Sequence, residues 1–412
     1  MELTQNRKIE LLSPCGDFER LQLALQYGAD AVYLGGNAFT MRAAPKNFDD
    51  DELIQAVSLA HAGGKKVYLT CNVYAHSDAF HTLPDFIAKA RDAGVDALII
   101  ADLGVLKTAQ KIAPDIDIHI STQAGVTNYE AARFYYELGA KRIVPARELS
   151  LEEIAQLRAK TDKNLEIECF VHGAMCMSVS GRCLLSSFMV GRDANLGLCA
   201  QPCRWQFDIT DVTRPGIRYP VSEDQYGTYF MNSRDMCMIE HIPDLIAAGI
   251  DSFKIEGRAK SAYYTAVVTN AYRAAIDGFY TNPTADYSPE SWVLEEMDKV
   301  SHREYSTGFY YKHPDKDGNV DYQGGYINHW DVAAFVTQAD GEILTLSQRN
   351  KFLPGDTLEV LEPHKAPVTF TPEELFDENM CPIASANHAM MCVKIKTNRI
   401  FEPNSIVRKK TS

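Results

Sequence analysis

Short apolar runs alternate with amphipathic segments from residue 9 to about residue 280. The apolar runs predict buried strands, which span, in order, Ile9–Ser13, Ala31–Leu34, Lys66–Cys71, Ala97–Ala101, Ile116–Ser121, Arg142–Pro145, Leu165–Val171 and Ser252–Ile255. The amphipathic segments predict the helices Asp17–Tyr27, Asp50–Ala62, Thr82–Ala93, Gly104–Ile112, Asn128–Leu138, Leu151–Lys160, Ile239–Ala248 and Ala262–Tyr280. Strand–helix units in series indicate a parallel sheet, and eight of them predict a (β/α)8, TIM-like barrel, with a doubly wound open sheet as the main alternative.

The seventh unit is interrupted. An insertion of about sixty residues, at about 172–238, separates the seventh strand from its helix, and connections of that length are usually functional. The catalytic groups of such barrels lie where the strands end, so we expect the insertion to cap the barrel mouth.

The pattern changes after residue 280. Residues 281–324 are expected to form a linker with a short helix at Pro289–Val300, and 325–412 carry short β-like runs separated by turns. This predicts a barrel domain over 1–280 and a small C-terminal β-barrel domain over 325–412. The basic run Arg408-Lys409-Lys410 is expected to be a solvated tail.

Four cysteines in the insertion have the spacing of a metal site. Six residues separate Cys176 from Cys183, fifteen more lead to Cys199, and three separate that residue from Cys203. Four thiolates suit either a structural zinc ion or an iron–sulfur cluster. Spacing alone does not decide between the two metals, although the loose first pair favours a cluster.

The residues around these cysteines resemble the signature of peptidase family U32, the collagenase-like proteins. The matching motifs are Glu168-x-Phe170-x-x-Gly173-Ala174-Met175-Cys176, Gly181-x-Cys183-x-Leu185-Ser186, Asn195-x-Gly197-x-Cys199-x-Gln201-x-Cys203-Arg204-Trp205, Tyr229-Phe230-Met231-Asn232-Ser233 and Lys254-Ile255-Glu256-Gly257-Arg258. Together with Leu12-Ser13-Pro14-x-Gly16, they cover most of residues 9–280.

The resemblance implies a specific chemistry. The family is similar to a group of iron–sulfur proteins whose branches install hydroxyl groups on tRNA, ribosomal RNA or a quinone precursor. Its [4Fe–4S] ligands fall on Cys176, Cys183, Cys199 and Cys203. The nearest branch forms 5-hydroxyuridine at the tRNA wobble position, so the resemblance implies tRNA as the partner and prephenate as a co-substrate.

Polar residues near the predicted strand ends supply candidates for that reaction. We expect His172, Glu256 and Arg258 to act as catalytic residues, the first two as proton donors or acceptors. Arginine forks bind carboxylates bidentately, which suits a dicarboxylate such as prephenate. The residues expected to bind substrate are Arg147, Arg182, Arg204, Asn232 and Lys254.

Composition limits the possible classes of protein. The 412 residues carry a net charge of −14, which argues against a non-specific nucleic-acid binder but leaves room for a local basic face. No apolar run approaches the ~20 residues of a membrane span, so we expect no membrane partner. The first eight residues lack the apolar core of a secretory signal, so we expect a cytoplasmic protein whose cysteines are metal ligands or buried thiols.

Two other functions compete with RNA hydroxylation. A collagenase-like peptidase would need an activated nucleophile or a water-activating metal, and the sequence has neither a His-Glu-x-x-His helix nor a Gly-x-Ser-x-Gly elbow. A scaffold or redox sensor would need no polar groups at the barrel mouth, whereas polar residues recur at nearly every predicted strand end.

Overall fold

The computed structural model describes residues 8–41, 47–175, 185–192, 198–200, 234–311 and 326–411. It also describes four short strands in the insertion, Ile209–Thr210, Arg218–Tyr219, Ser222–Asp224 and Gly227–Tyr229. The predicted site residues Cys176, Arg182, Cys183, Cys203, Arg204 and Asn232 lie outside the described residues.

Eight parallel strands close into a barrel. They are β1 (Glu10–Pro14), β2 (Ala31–Gly35), β3 (Lys66–Cys71), β4 (Ala97–Ile100), β5 (Asp117–Ile120), β6 (Arg142–Ile143), β7 (Glu166–Ala174) and β8 (Ser252–Ile255). Each strand pairs with the next in sequence, and β8 pairs with both β7 and β1. The predicted barrel is therefore confirmed, because an open sheet would leave two unpaired edges.

The helices follow the strands as predicted. They are α1 (Phe18–Gln26), α2 (Asp50–Ala62), α3 (Leu83–Ala93), α4 (Leu103–Ile112), α5 (Tyr129–Glu137), α6 (Leu151–Lys160), α7 (Ile242–Ala247) and α8 (Ala262–Thr281). A 3-10 turn, Ile239–His241, precedes α7, and a further short helix spans Ser291–Met297. None of the helices within the described ranges is long and apolar enough to cross a membrane.

The insertion leaves and rejoins the barrel at one place. Strand Asp235–Cys237 runs antiparallel to the end of β7, with Asp235 opposite Ala174 and Cys237 opposite His172. Strand Tyr305–Ser306 then adds in parallel to Asp235–Cys237. The end of β7 is thus held by β8 on one side and by this added pair of strands on the other.

The C-terminal region forms a separate antiparallel sheet. Its eight strands are β9 (Trp330–Asp340), β10 (Ile343–Gln348), β11 (Leu358–Leu361), β12 (Val368–Phe370), β13 (Leu375–Phe376), β14 (Pro382–Ile383), β15 (Cys392–Lys396) and β16 (Ile406–Lys410). The β content of this region is confirmed, with β16 in the interior of the sheet between β9 and β11.

The expectation of a solvated basic tail is wrong. Arg408 lies on β16 and is 0% exposed, with its guanidinium against the carboxylates of Glu296 and Glu359. Only Lys410 at the end of the run is exposed. Charge alone favours a solvated tail, but the apolar pair Ile406 and Val407 before the basic residues begins a buried strand.

Candidate functional site

A cavity of about 60 Å³ opens at the carboxyl ends of the barrel strands. Four of the predicted site residues line it, namely Arg147, Lys254, Glu256 and Arg258. Hydroxyl and amide side chains complete much of the polar wall: Thr40, Thr70, Asn72, Ser121, Thr122 and Gln123. Two arginines and a lysine against one glutamate give the described wall a positive balance, which suits an anionic ligand.

Arg258 reaches across the mouth from the loop after β8. Its Nη1 donates to Thr70 Oγ1 at 3.0 Å and its Nη2 donates to Thr40 Oγ1 at 2.6 Å. The side chain is only 3% exposed, so buried contacts, these two among them, hold it in place. The threonines were not identified from the sequence, since a hydroxyl on a strand carries no distinctive pattern.

Arg147 lies on the opposite part of the wall. Its Nη1 donates to the Ala174 carbonyl at 2.9 Å, and its guanidinium lies 5.0 Å from the centre of the Phe170 ring. Both contacts are with β7, so Arg147 ties the cavity wall to the strand that leads into the cysteine segment.

Lys254 forms part of the cavity floor. Its Nζ donates to Glu168 at 2.7 Å and lies 4.4 Å from the centre of the Tyr33 ring. Glu168 is 0% exposed and also pairs with Arg142 at 2.8 Å. The buried Glu168 carboxylate therefore compensates the charge of Lys254, and the lysine links the cavity to an ionic network inside the barrel.

That network surrounds the Arg142 guanidinium. It pairs with Glu10 at 2.6 Å and with Glu166 at 2.7 Å, in addition to Glu168. Burial alone would raise the pKa of the Glu10 carboxyl, but the charge and hydrogen bonds of Arg142 hold it below its usual value. Carboxylates that share one arginine in this way fix the strands beneath the cavity.

Glu256 is half-buried at the rim and lines the cavity. The Tyr33 hydroxyl lies 3.4 Å from its Oε2 and donates to the Ile255 carbonyl at 3.0 Å. This carboxylate is therefore positioned to exchange a proton with a ligand in the cavity.

His172 does not line the cavity. Phe170 on β7 pairs with Lys254, but the next residue on β8, Ile255, pairs with His172, so β7 contains one extra residue at this point. Such a bulge redirects the side chains that follow it. The imidazole packs against the rings of Tyr264, Tyr272 and Tyr305. Periodicity alone could not reveal the bulge.

Burial lowers the pKa of His172 to about 3 and lowers that of His119 well below its usual value. Both imidazoles are neutral in the folded state, whereas an unfolded chain binds a proton at each below about pH 6.5. We therefore expect stability to fall on acidification from pH 6.5, by about 1.4 kcal/mol per pH unit for each histidine. His172→Phe should lower by about one the number of protons taken up on unfolding, which the pH dependence of urea unfolding between pH 7 and pH 4 measures. An unchanged pH dependence would contradict a neutral, buried His172.

Part of the predicted metal site is described. Cys199 is partly exposed, and its neighbour Ala200 donates its backbone N–H to Ser186 Oγ at 3.0 Å. Ser186 lies in the short helix Leu185–Val190, which begins two residues after Cys183 in the sequence. Arg192, just after this helix, donates from Nε to the Leu198 carbonyl at 3.0 Å. These contacts join the segment that follows Cys183 in the sequence to the residues around Cys199.

Comparison with known proteins places the chain among relatives over almost its full length. It matches the profile described as Peptidase family U32 over residues 16–319 and that of the Peptidase family U32 C-terminal domain over residues 328–408. The tRNA hydroxylation protein P1 of Bacillus subtilis (strain 168) is 37% identical over 407 residues, which are 98% of this chain and 95% of that protein. The tRNA hydroxylation protein P of Escherichia coli (strain K12) is 34% identical over 410 residues, which cover 89% of each chain. A 23S rRNA 5-hydroxycytidine synthase of Escherichia coli (strain K12) is 32% identical over 348 residues, covering 83% of this chain and 50% of that enzyme.

Proposed function

Because the chain belongs to peptidase family U32 and matches tRNA hydroxylation proteins over nearly its full length, we propose that it is an RNA-hydroxylating enzyme acting on tRNA. The observation that carries the proposal is that the match to the Bacillus subtilis protein covers nearly all of this chain and nearly all of that protein. The matched region includes the C-terminal sheet. The positively balanced cavity at the barrel mouth supports it, because both RNA and small carboxylic acids are anionic.

The finer proposal concerns the product and the co-substrate. We propose that the enzyme forms 5-hydroxyuridine at the wobble position and uses prephenate. Two guanidinium groups, those of Arg147 and Arg258, line the described part of the cavity and suit the carboxylates of such an acid. Arg182, Arg204 and Asn232 remain candidates for contacts with substrate from the insertion.

The chain's own groups supply binding and proton transfer. Arg258 and Arg147 would orient the anionic groups, and Lys254, whose charge is paired with Glu168, forms part of the floor beneath them. Glu256, next to the Tyr33 hydroxyl, would accept or return a proton at its Oε2. His172 is better suited to holding the end of β7, because it lies in an aromatic layer outside the cavity.

A [4Fe–4S] cluster is proposed on Cys176, Cys183, Cys199 and Cys203. The contact between Ala200 and Ser186 supports it, since it joins the segments that contain the second and third ligands. Such a cluster would supply one-electron chemistry. Zinc is the alternative occupant of the same thiolates.

Mass spectrometry of tRNA nucleosides from a deletion strain tests the function. We expect the 5-oxygenated wobble uridine to disappear and to return with the wild-type gene. Arg258→Ala should restore less than a tenth of it while retaining wild-type iron content, because it removes one anion-binding fork. Arg399→Ala, at an exposed arginine of the C-terminal region, is the matched control and should restore it fully.

An unchanged nucleoside profile in the deletion strain, after both aerobic and anaerobic growth, would reject the tRNA assignment. The similarity to the 23S rRNA 5-hydroxycytidine synthase makes ribosomal RNA the second candidate substrate, to be examined by the same method. Peptidase action has less support, because the described residues lining the cavity include no cysteine or histidine to act as nucleophile or base. We accordingly expect the purified protein not to cleave gelatin.

A further inference from the structure

Arg258 contacts two threonines that are distant from it in the sequence. The arginine follows β8, whereas Thr70 lies on β3 and Thr40 lies in the loop after β2. Its side chain therefore spans the mouth above β1, the strand between β8 and β2. All three residues are at most 4% exposed.

The two threonine hydroxyls form one polar unit. They lie 2.9 Å apart, and Thr70 Oγ1 is 3.1 Å from the Leu34 carbonyl on β2. Each accepts one N–H from a different terminal nitrogen of Arg258. Because a guanidinium is planar and rigid, two such contacts restrict both its position and its orientation.

Gly35 leaves the space that this arrangement requires. A Cβ at Gly35 would lie 2.2 Å from Arg258 Nη1 and 2.9 Å from Thr40 Oγ1. Any side chain there would displace the guanidinium from the threonines. The close approach of the Arg258 guanidinium to the backbone requires a glycine here, because the φ angle of Gly35 is not positive and other residues could adopt it.

We propose that Thr40 and Thr70 are positioning residues that orient Arg258 for binding an anionic group of the substrate, a carboxylate or a phosphate. The proposal rests on the proposed function. Hydroxyl oxygens are neutral acceptors, so these two contacts orient the guanidinium without themselves adding a counter-charge. The carboxylates around Arg142 in the same barrel serve a different purpose, because they neutralise the cation that they hold.

The side-chain position can be measured without any assay of function. In the wild-type protein, buried Arg258 should resist labelling by phenylglyoxal, read out by peptide mass spectrometry. The double variant Thr40→Val/Thr70→Val keeps side-chain shape but removes both acceptors, so we expect labelling of Arg258 to increase at least several-fold. Gly35→Ala should have the same effect by displacement, and Thr40→Ser/Thr70→Ser should retain protection. Exposed Arg399 provides the internal standard. Unchanged protection in the valine and alanine variants would overturn the proposal.

Binding experiments then identify the anion. Loss of one charge-assisted hydrogen bond corresponds to about a tenfold loss in affinity or more. If Arg258 binds a carboxylate, the valine variant should bind prephenate at least tenfold more weakly in calorimetry, with tRNA affinity unchanged. If it binds phosphate, tRNA affinity should fall and depend less steeply on salt. Serine variants should restore the lost affinity.

Two failures are distinguishable. If the deletion strain keeps its modified uridine, the proposed function fails. If wild-type protein restores the uridine and the valine variant does so equally well at limiting prephenate, only the positioning role fails. If the valine and serine variants both fold normally and neither restores the uridine, the positioning role is also contradicted, since serine keeps the hydroxyl acceptor.

Discussion

Replacing Arg408 by alanine is expected to lower the free energy of unfolding by about 3–5 kcal/mol, because it leaves a carboxylate buried with too little positive charge. Arg408 Nε donates to Glu359 and its Nη1 donates to Glu296, both at 2.7 Å. Glu296 is 0% exposed, and Lys299, at 3.1 Å, would be the one ionic partner left to it among the described residues. Urea unfolding of the full chain measures the loss.

Lys410→Ala is the matched control for this experiment. It removes a cation from the same strand at an exposed position, and such changes usually alter stability by less than about 0.5 kcal/mol. Equal effects of the two variants would contradict the role assigned to Arg408. Glu296 precedes the C-terminal sheet and Glu359 lies within it, so the loss combines a contact between the two parts of the chain with one inside the sheet.

Replacing any one of Cys176, Cys183, Cys199 and Cys203 by alanine is expected to abolish the proposed cluster and the tRNA modification together. Anaerobically purified wild-type protein should contain about four irons and four acid-labile sulfides per chain, with the broad visible absorption of a four-thiolate cluster. A three-thiolate site would lose the tetrahedral sulfur set that holds the metal.

Cys381→Ala provides the control for the cysteine variants. This residue is exposed just before β14, and its removal should change neither iron content nor absorption. Stoichiometric zinc without iron after anaerobic preparation would replace the cluster by the zinc alternative. Iron retained in all four variants would refute the ligand set.

The barrel could be predicted because local signals agree with the fold at most elements. Helix α2 begins and ends as expected, since Asp49 and Glu52 form a capping box at its start and Gly63 follows its end. Strands β3 and β8 also have the predicted bounds, because both are short segments between helix and turn signals. Buried parallel strands leave this continuous pattern in a sequence.

The parts that could not be predicted depend on contacts between distant residues. The bulge that turns His172 away from the cavity appears only when β7 is paired with β8. The role of Arg408 depends on Glu296, 112 residues away. Thr40 and Thr70 resemble ordinary strand and loop residues until Arg258 is placed beside them. Four candidate cavity residues were nevertheless found, because barrel topology collects strand ends at one face.

The antiparallel pairing of Ala174 with Asp235 has an evolutionary consequence. Paired strands lie about 4.8 Å apart, so the long insertion starts and finishes at almost the same point on the barrel. The entropic cost of closing such a loop rises by only about 0.6 kcal/mol for each doubling of its length. The inserted segment can therefore lengthen, shorten or be exchanged without disturbing the barrel, which would allow one scaffold to acquire different substrates.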